Sequence, residues 1–108
     1  MIELFFKLCI GHAVADFWAQ SEGMRRAKGW TNDVRSQPGN IKVWTHAITA
    51  HALIHAGAVW VCTGSAWLAF AELIAHWCID YGKCSGWFNT HVDQGAHIGC
   101  KAMWTVLA

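Results

Sequence analysis

Glu72-Leu73-Ile74-Ala75-His76-Trp77-Cys78-Ile79-Asp80 sets three potential metal ligands four residues apart in an apolar and aromatic run. Four residues make about one turn of an α-helix, so the three side chains stack in one stripe. Charge on such a stripe is costly to bury unless something pairs it. A divalent cation suits this mix of imidazole and carboxylate. The stretch therefore predicts a helix whose polar stripe needs a matching stripe elsewhere in the chain.

Working outward, every predicted helix repeats the device. The first carries His12 and Asp16, the second His46, then His51 and His55, and the fourth His91, then Asp93, Gln94 and His97. Pairs three or four residues apart share a helix face. The apolar run from Ile2 to about Gln20 predicts the first helix, with Glu3 and Lys7 paired at i,i+4. Residues 41–62 and 66–81 predict the second and third, divided at Thr63-Gly64-Ser65, with Ser65 as N-cap and Gly82 as the residue that ends the third. Thr90 or His91 opens the last helix, which continues to about Leu107. No run alternates with period two, so strands are not expected.

The fold class this predicts is all-α: an up-down bundle of four main helices with a long polar loop between helices one and two. Residues 21–40 form that loop within a single domain spanning 1–108. It holds Arg25, Arg26, Lys28 and Arg35 and the only proline, with an extra helical turn around Glu22 to Lys28. Folding the helices up and down puts Asp16, His46, Asp80 and Asp93 at one end. One turn deeper come His12, His51, His76 and His97, and deeper again His55, Glu72 and Lys101. His46 and His51 are five residues apart, about 140° on an ideal helix, so both cannot point straight inward.

Composition narrows the classes. Apolar residues make up 55% of the chain and charged residues 14%, against about 45–50% and 25% in ordinary soluble domains. The net charge of +1 gives no reason to expect nucleic acid. The five Cys form no C-x-x-C pair and read as reduced core residues. The start of the chain is a poor signal peptide, with Glu3 where a basic cluster belongs. Residues 41–62 are long enough for a bilayer span, which takes about 20 residues. The eight Trp of the whole chain suit an interfacial belt as well as core packing. A soluble bundle that hides these faces, for instance by homo-oligomerising, competes with the membrane reading.

The runs Gly11-His12-Ala13-Val14-Ala15-Asp16-Phe17-Trp18-Ala19-Gln20, His46-Ala47-Ile48-Thr49-Ala50-His51-Ala52, Glu72 to Asp80 with Tyr81-Gly82-Lys83, and Asp93-Gln94-Gly95-Ala96-His97 resemble the family called domain of unknown function 3307. That family occurs in bacteria and phages, tends to be apolar and membrane-like, and has no settled activity. Its pattern is similar, more distantly, to that of membrane-bound metal-dependent hydrolases. The resemblance implies membrane association; if the bundle spans a membrane, the basic loop and Lys83 lie on one side, so the site would face the cytoplasm.

From the residues themselves, the expected centre holds one or two divalent ions, zinc or manganese suiting the imidazole content better than magnesium. Asp16, His76, Asp80, Asp93 and His97 lead as ligands, with His12, His46 and His51 next. Glu72 is the candidate general base, or else pairs with Lys101 or Lys7. Gln20 and Gln94 are placed to orient an Asp. The function expected is hydrolysis of a phosphoester or similar anionic substrate, the basic loop drawing in the anion or a lipid headgroup. The alternative is a non-catalytic membrane or phage interaction protein whose polar cluster is a structural metal site or a hydrogen-bonded network.

Overall fold

The computed structural model describes residues 1–18, 28 and 44–108, and the backbone of 36–37 and 41–42. The order of elements is α1 (Ile2–Ala13) running into a π-helical turn (Val14–Trp18), β1 (Ser36–Gln37), β2 (Ile41–Lys42), α2 (Trp44–Thr63), α3 (Ala66–Cys84) and α4 (Thr90–Leu107). The all-α bundle is as expected. A departure is the two-residue antiparallel pairing of β1 with β2, Ser36 opposite Lys42 and Gln37 opposite Ile41. Runs this short leave no alternation to read in a sequence. The expected turn around Glu22 and the side chains of Gln20, Arg25, Arg26, Trp30 and Arg35 lie outside the described residues.

Local chemistry explains the helix limits. Gly64 takes a φ of 71°, closed to most side chains, and reverses the chain between α2 and α3. Ser65 then caps α3, its Oγ accepting from the Leu68 amide at 3.2 Å. Asn89 caps α4 likewise, accepting from the Val92 amide at 2.9 Å. Gly82 does not end α3 as expected. The helix runs on to Cys84, and the left-handed glycine is Gly86, with φ 80°. Gly82 is there for space: a Cβ would stand 2.8 Å from Phe88 Cε1 and 2.9 Å from Trp87 Cε3.

The helices close a four-sided arrangement in which α1 packs on α2 and α4, and α3 packs on α2 and α4. One end of the interior is apolar: Leu8, Val59, Leu68 and Trp104 meet there. From that layer each helix steps inward by three or four residues through polar positions. The steps are Leu8 to His12 to Asp16, Val59 to His55 to His51, Leu68 to Glu72 to His76 to Asp80, and Trp104 to Lys101 to His97 to Asp93, all buried except Asp16, which is half-buried. The alternating directions of the helices bring these steps level.

Two expectations are corrected. No described helix is long and apolar enough to cross a membrane; α2 carries three histidines and α3 and α4 carry buried charges, which lower their hydropathy. None of the five free Cys is fully buried, and Cys78 is exposed. Of the described Trp residues only Trp104 is buried, while Trp44, Trp77, Tyr81 and Trp87 pack as a chain of rings with centroids 5.5–6.3 Å apart.

Candidate metal centre

Five imidazoles and three aspartates converge at the polar end. Three groups are placed to hold a metal ion: Asp16 with His51, His55 and His76; His12 with His76 and His97; and Asp80 with Asp93 and His97. His76 and His97 each belong to two groups, so the three form one continuous cluster. The spacing between donors is informative. Two ligands about 2.1 Å from one ion stand about 3.4 Å apart at a tetrahedral angle, or about 3.0 Å at a right angle. Asp16 Oδ1 lies 3.2 Å from His51 Nε2 and 3.0 Å from His55 Nε2. Asp80 Oδ2 lies 3.5 Å from both His51 Nε2 and His76 Nε2. His97 Nε2 lies 3.2 Å from Asp80 Oδ1 and 3.5 Å from Asp93 Oδ1.

Several of these atoms face one another at contact distance without a well-formed hydrogen bond. Among the described residues, His51 Nε2, His76 Nε2 and Asp93 Oδ1 are buried with no hydrogen-bond partner, though each lies within ion-pair distance of an opposite group. The case of His76 is chemically the sharpest. Its Nδ1 donates to Glu72 Oε1 at 3.2 Å. In the neutral ring that leaves a bare lone pair on Nε2, pointed toward the carboxylate of Asp80. A lone pair facing a carboxylate away from water suits a shared cation, and the carboxylate already carries one from Lys28. The Nδ1 atoms of His12, His51, His55 and His97 also lack partners; the geometry of the cluster does not account for them.

The surroundings fix these rings in place. The π-helical turn carries Asp16, and such turns often occur at functional sites. Glu72 accepts from Lys101 Nζ at 2.5 Å and from Trp104 Nε1 at 2.6 Å besides His76. Gln94 Nε2 donates to Asp16 and Asp93 at 3.2 Å each, and its Oε1 accepts from His12 Nε2 at 3.2 Å. Lys28 Nζ donates to Asp80 Oδ2 at 2.9 Å.

Protonation follows from the same contacts. Burial pushes the carboxyls of Asp16 and Asp80 up, but facing groups outweigh it and hold both well below the usual range. For Asp16 these are His51, His55 and His12; for Asp80 they are His76, His97 and Lys28. Glu72 is lowered to about 2, with burial opposed by His76, Lys101 and Trp104. Burial lowers His12 and takes His55 down to about 3. His97 goes the other way, to about 9, because Asp80 and Asp93 outweigh its burial.

A family model described as a protein of unknown function (DUF3307) matches residues 4–106. The chain belongs to the DUF3307 family. No curated protein and no solved structure matches it. In this DUF3307 chain, seven of the eight expected ligands, His12, Asp16, His51, His76, Asp80, Asp93 and His97, meet in the cluster, and His46 does not. His46 is exposed near the start of α2, because the five-residue step to His51 turns it away.

The member missed was His55. It lies one turn from His51 on the same face, so choosing His51 over His46 would have selected it. Lys28, expected in the basic loop that draws in the anion, is only 12% exposed and pairs with Asp80. Of the two readings of Glu72, general base or partner of Lys101 or Lys7, the structure shows the pairing with Lys101: both oxygens are engaged and the residue sits behind His76. Two apolar grooves on the described surface, one around Thr49 and Trp77 and one around Ile2 and Val106, contain none of the cluster.

Proposed function

We propose that this protein is a metal-dependent hydrolase of a phosphoester or similar anionic substrate, holding two divalent ions, zinc or manganese, in the DUF3307 cluster. The observation that carries the reading is the convergence of ligand atoms on Asp80: the buried Nε2 of His76, without a hydrogen-bond partner among the described residues, lies 3.5 Å from its Oδ2, as does Nε2 of His51, which also stands 3.2 Å from Asp16 Oδ1. Asp80 would be shared between ligand groups, since Oδ2 faces His51 and His76 while Oδ1 faces His97. Asp16 divides in the same way, Oδ1 toward His51 and His55 and Oδ2 toward His12.

Divalent ions held there would supply Lewis acidity toward an ester oxygen and acidify water near neutral pH. The chain's own residues do the rest. Glu72 fixes the tautomer and angle of His76 and acts as a positioning residue, since neither oxygen is free to take a proton. Gln94 holds Asp16 and Asp93 in register between the π-helical turn and α4. The carboxylates, kept ionised by their neighbours, are ready to bind cations without first losing a proton.

One observation favours a non-catalytic, structural centre: every imidazole of the cluster is at most 3% exposed, as in closed sites. A single experiment separates the two. Purified protein is analysed for bound metal, then assayed on phosphomonoesters and phosphodiesters with added zinc or manganese and with EDTA. Metal-dependent turnover abolished in Asp80→Asn supports the hydrolase. Stoichiometric metal without turnover on any ester leaves the structural centre.

A further inference from the structure

We infer that Lys28 is the anion-recognition residue of this centre: it neutralises Asp80 in the metal-free protein, is displaced from that carboxylate by the ion, and then pairs with the anionic oxygen of the ligand. The inference rests on the metal-centre reading above. Lys28 Nζ sits 2.9 Å from Asp80 Oδ2, the oxygen that lies 3.5 Å from both His51 Nε2 and His76 Nε2. An ammonium there stands beside the point where the ligand atoms converge. It is held at the cluster by one charge-assisted hydrogen bond. The buried Lys101, by contrast, is on the far side of Glu72, bonded to the carboxylate that braces His76.

Once a divalent ion takes over Asp80 Oδ2, an ammonium within hydrogen-bond reach of the same oxygen is repelled by it. At 12% exposure the side chain lies at the edge of the cluster. An anion bound on the ion would give the ammonium a new electrostatic partner there. A phosphoryl group suits the position because one oxygen can bind the metal while another accepts from the lysine. The ligand class is therefore a phosphate ester or free phosphate, and the test separates the two.

The experiment measures two affinities in wild type, Lys28→Met and Lys28→Arg. Zinc affinity is read by competition with a chromophoric chelator. Inorganic phosphate binding to the metal-loaded protein is read by calorimetry. The expected result is phosphate binding weakened by about tenfold or more in Lys28→Met and largely kept in Lys28→Arg. Zinc binding should be unchanged or tighter in Lys28→Met, since a competing cation is gone. Unaltered phosphate binding in Lys28→Met overturns the inference. So does a loss of zinc affinity of about tenfold or more, because Lys28 would then be a brace for the ligands. Wild type that binds phosphate through Lys28 yet hydrolyses no ester keeps this inference and removes the hydrolase. Wild type that hydrolyses an uncharged ester and ignores phosphate does the reverse.

Discussion

Glu72 accepts hydrogen bonds from His76, Lys101 and Trp104 while only 1% exposed. Removing its charge leaves the Lys101 ammonium buried without a counter-ion. Glu72→Gln is therefore expected to destabilise the fold by about 3–5 kcal/mol. The double variant Glu72→Gln with Lys101→Met should recover most of that loss in a denaturant titration, since neither charge remains. If the double variant is as unstable as the single, the ion pair is not the reason. A second contrast concerns the imidazoles on α2. His55→Ala should weaken zinc binding by about tenfold to a hundredfold, and His46→Ala should leave it unchanged, because His55 faces Asp16 while His46 is exposed. Equal effects in a chelator competition would break the assignment of ligands.

Among the elements, α3 bears the most functional weight, since Leu68, Glu72, His76 and Asp80 run from the apolar layer to the metal ligands. Its path is held at both ends. Ser65 stabilises the start, and Ser65→Ala is expected to lower stability by about 1 kcal/mol. At the other end the Trp87 and Phe88 rings press on Gly82. Gly82→Ala should destabilise by about 1–3 kcal/mol, because rings rather than a flexible chain end must move. A helix-favouring substitution that raised the melting temperature instead would show that this contact is loose.

At the scale of the whole molecule, polarity is placed unusually. Residues 44–108 contain five charged side chains, Glu72, Asp80, Lys83, Asp93 and Lys101, and four of them are buried. Large apolar residues such as Ile2, Phe6, Phe17, Trp60, Val61 and Trp67 are exposed instead. An interior of this kind depends on what neutralises it. Adding zinc or manganese at about a thousand times its Kd should stabilise the protein by about 4 kcal/mol, seen as a melting temperature higher by about 10 °C or more and reversed by EDTA.

The pH dependence of the metal-free protein follows from opposed shifts. His97, raised from 6.5 to about 9, contributes stability that is complete below pH 6.5 and lost as pH climbs toward 9. His55, lowered from 6.5 to about 3, does the opposite. The unfolded chain takes up its proton below pH 6.5 while the folded form refuses it, so stability falls on acidification. Glu72, lowered from 4.5 to about 2, adds to the acid loss below pH 4.5. Metal-free stability should therefore peak near pH 6–7. Metal must displace the proton of His97, so affinity should rise by about tenfold per pH unit up to about pH 9. A flat affinity profile would place His97 outside the coordination shell.

Helical pitch and chain direction made much of this legible in advance. The i,i+4 spacing of Glu72, His76 and Asp80, and the Ser65 and Asn89–Thr90 starts, depend only on neighbours along the chain. So does the inward register of His12 with Asp16 and of Asp93 with His97. Contacts between elements were not legible. Whether His46 or His51 turns inward depends on the rotation of α2 against its neighbours. The role of Gly82 depends on rings that return from the next loop. The pairing of Glu72 with Lys101 stood as one of two open readings, and the bond from Trp104 became visible only when α4 packed against α3. Lys28 reaches Asp80 across 52 positions of chain, a distance no local rule bridges. Sequence by itself determined which residues share a helix face, because pitch is local. Tertiary structure decided which faces meet and which charges pair, because side-chain packing is not.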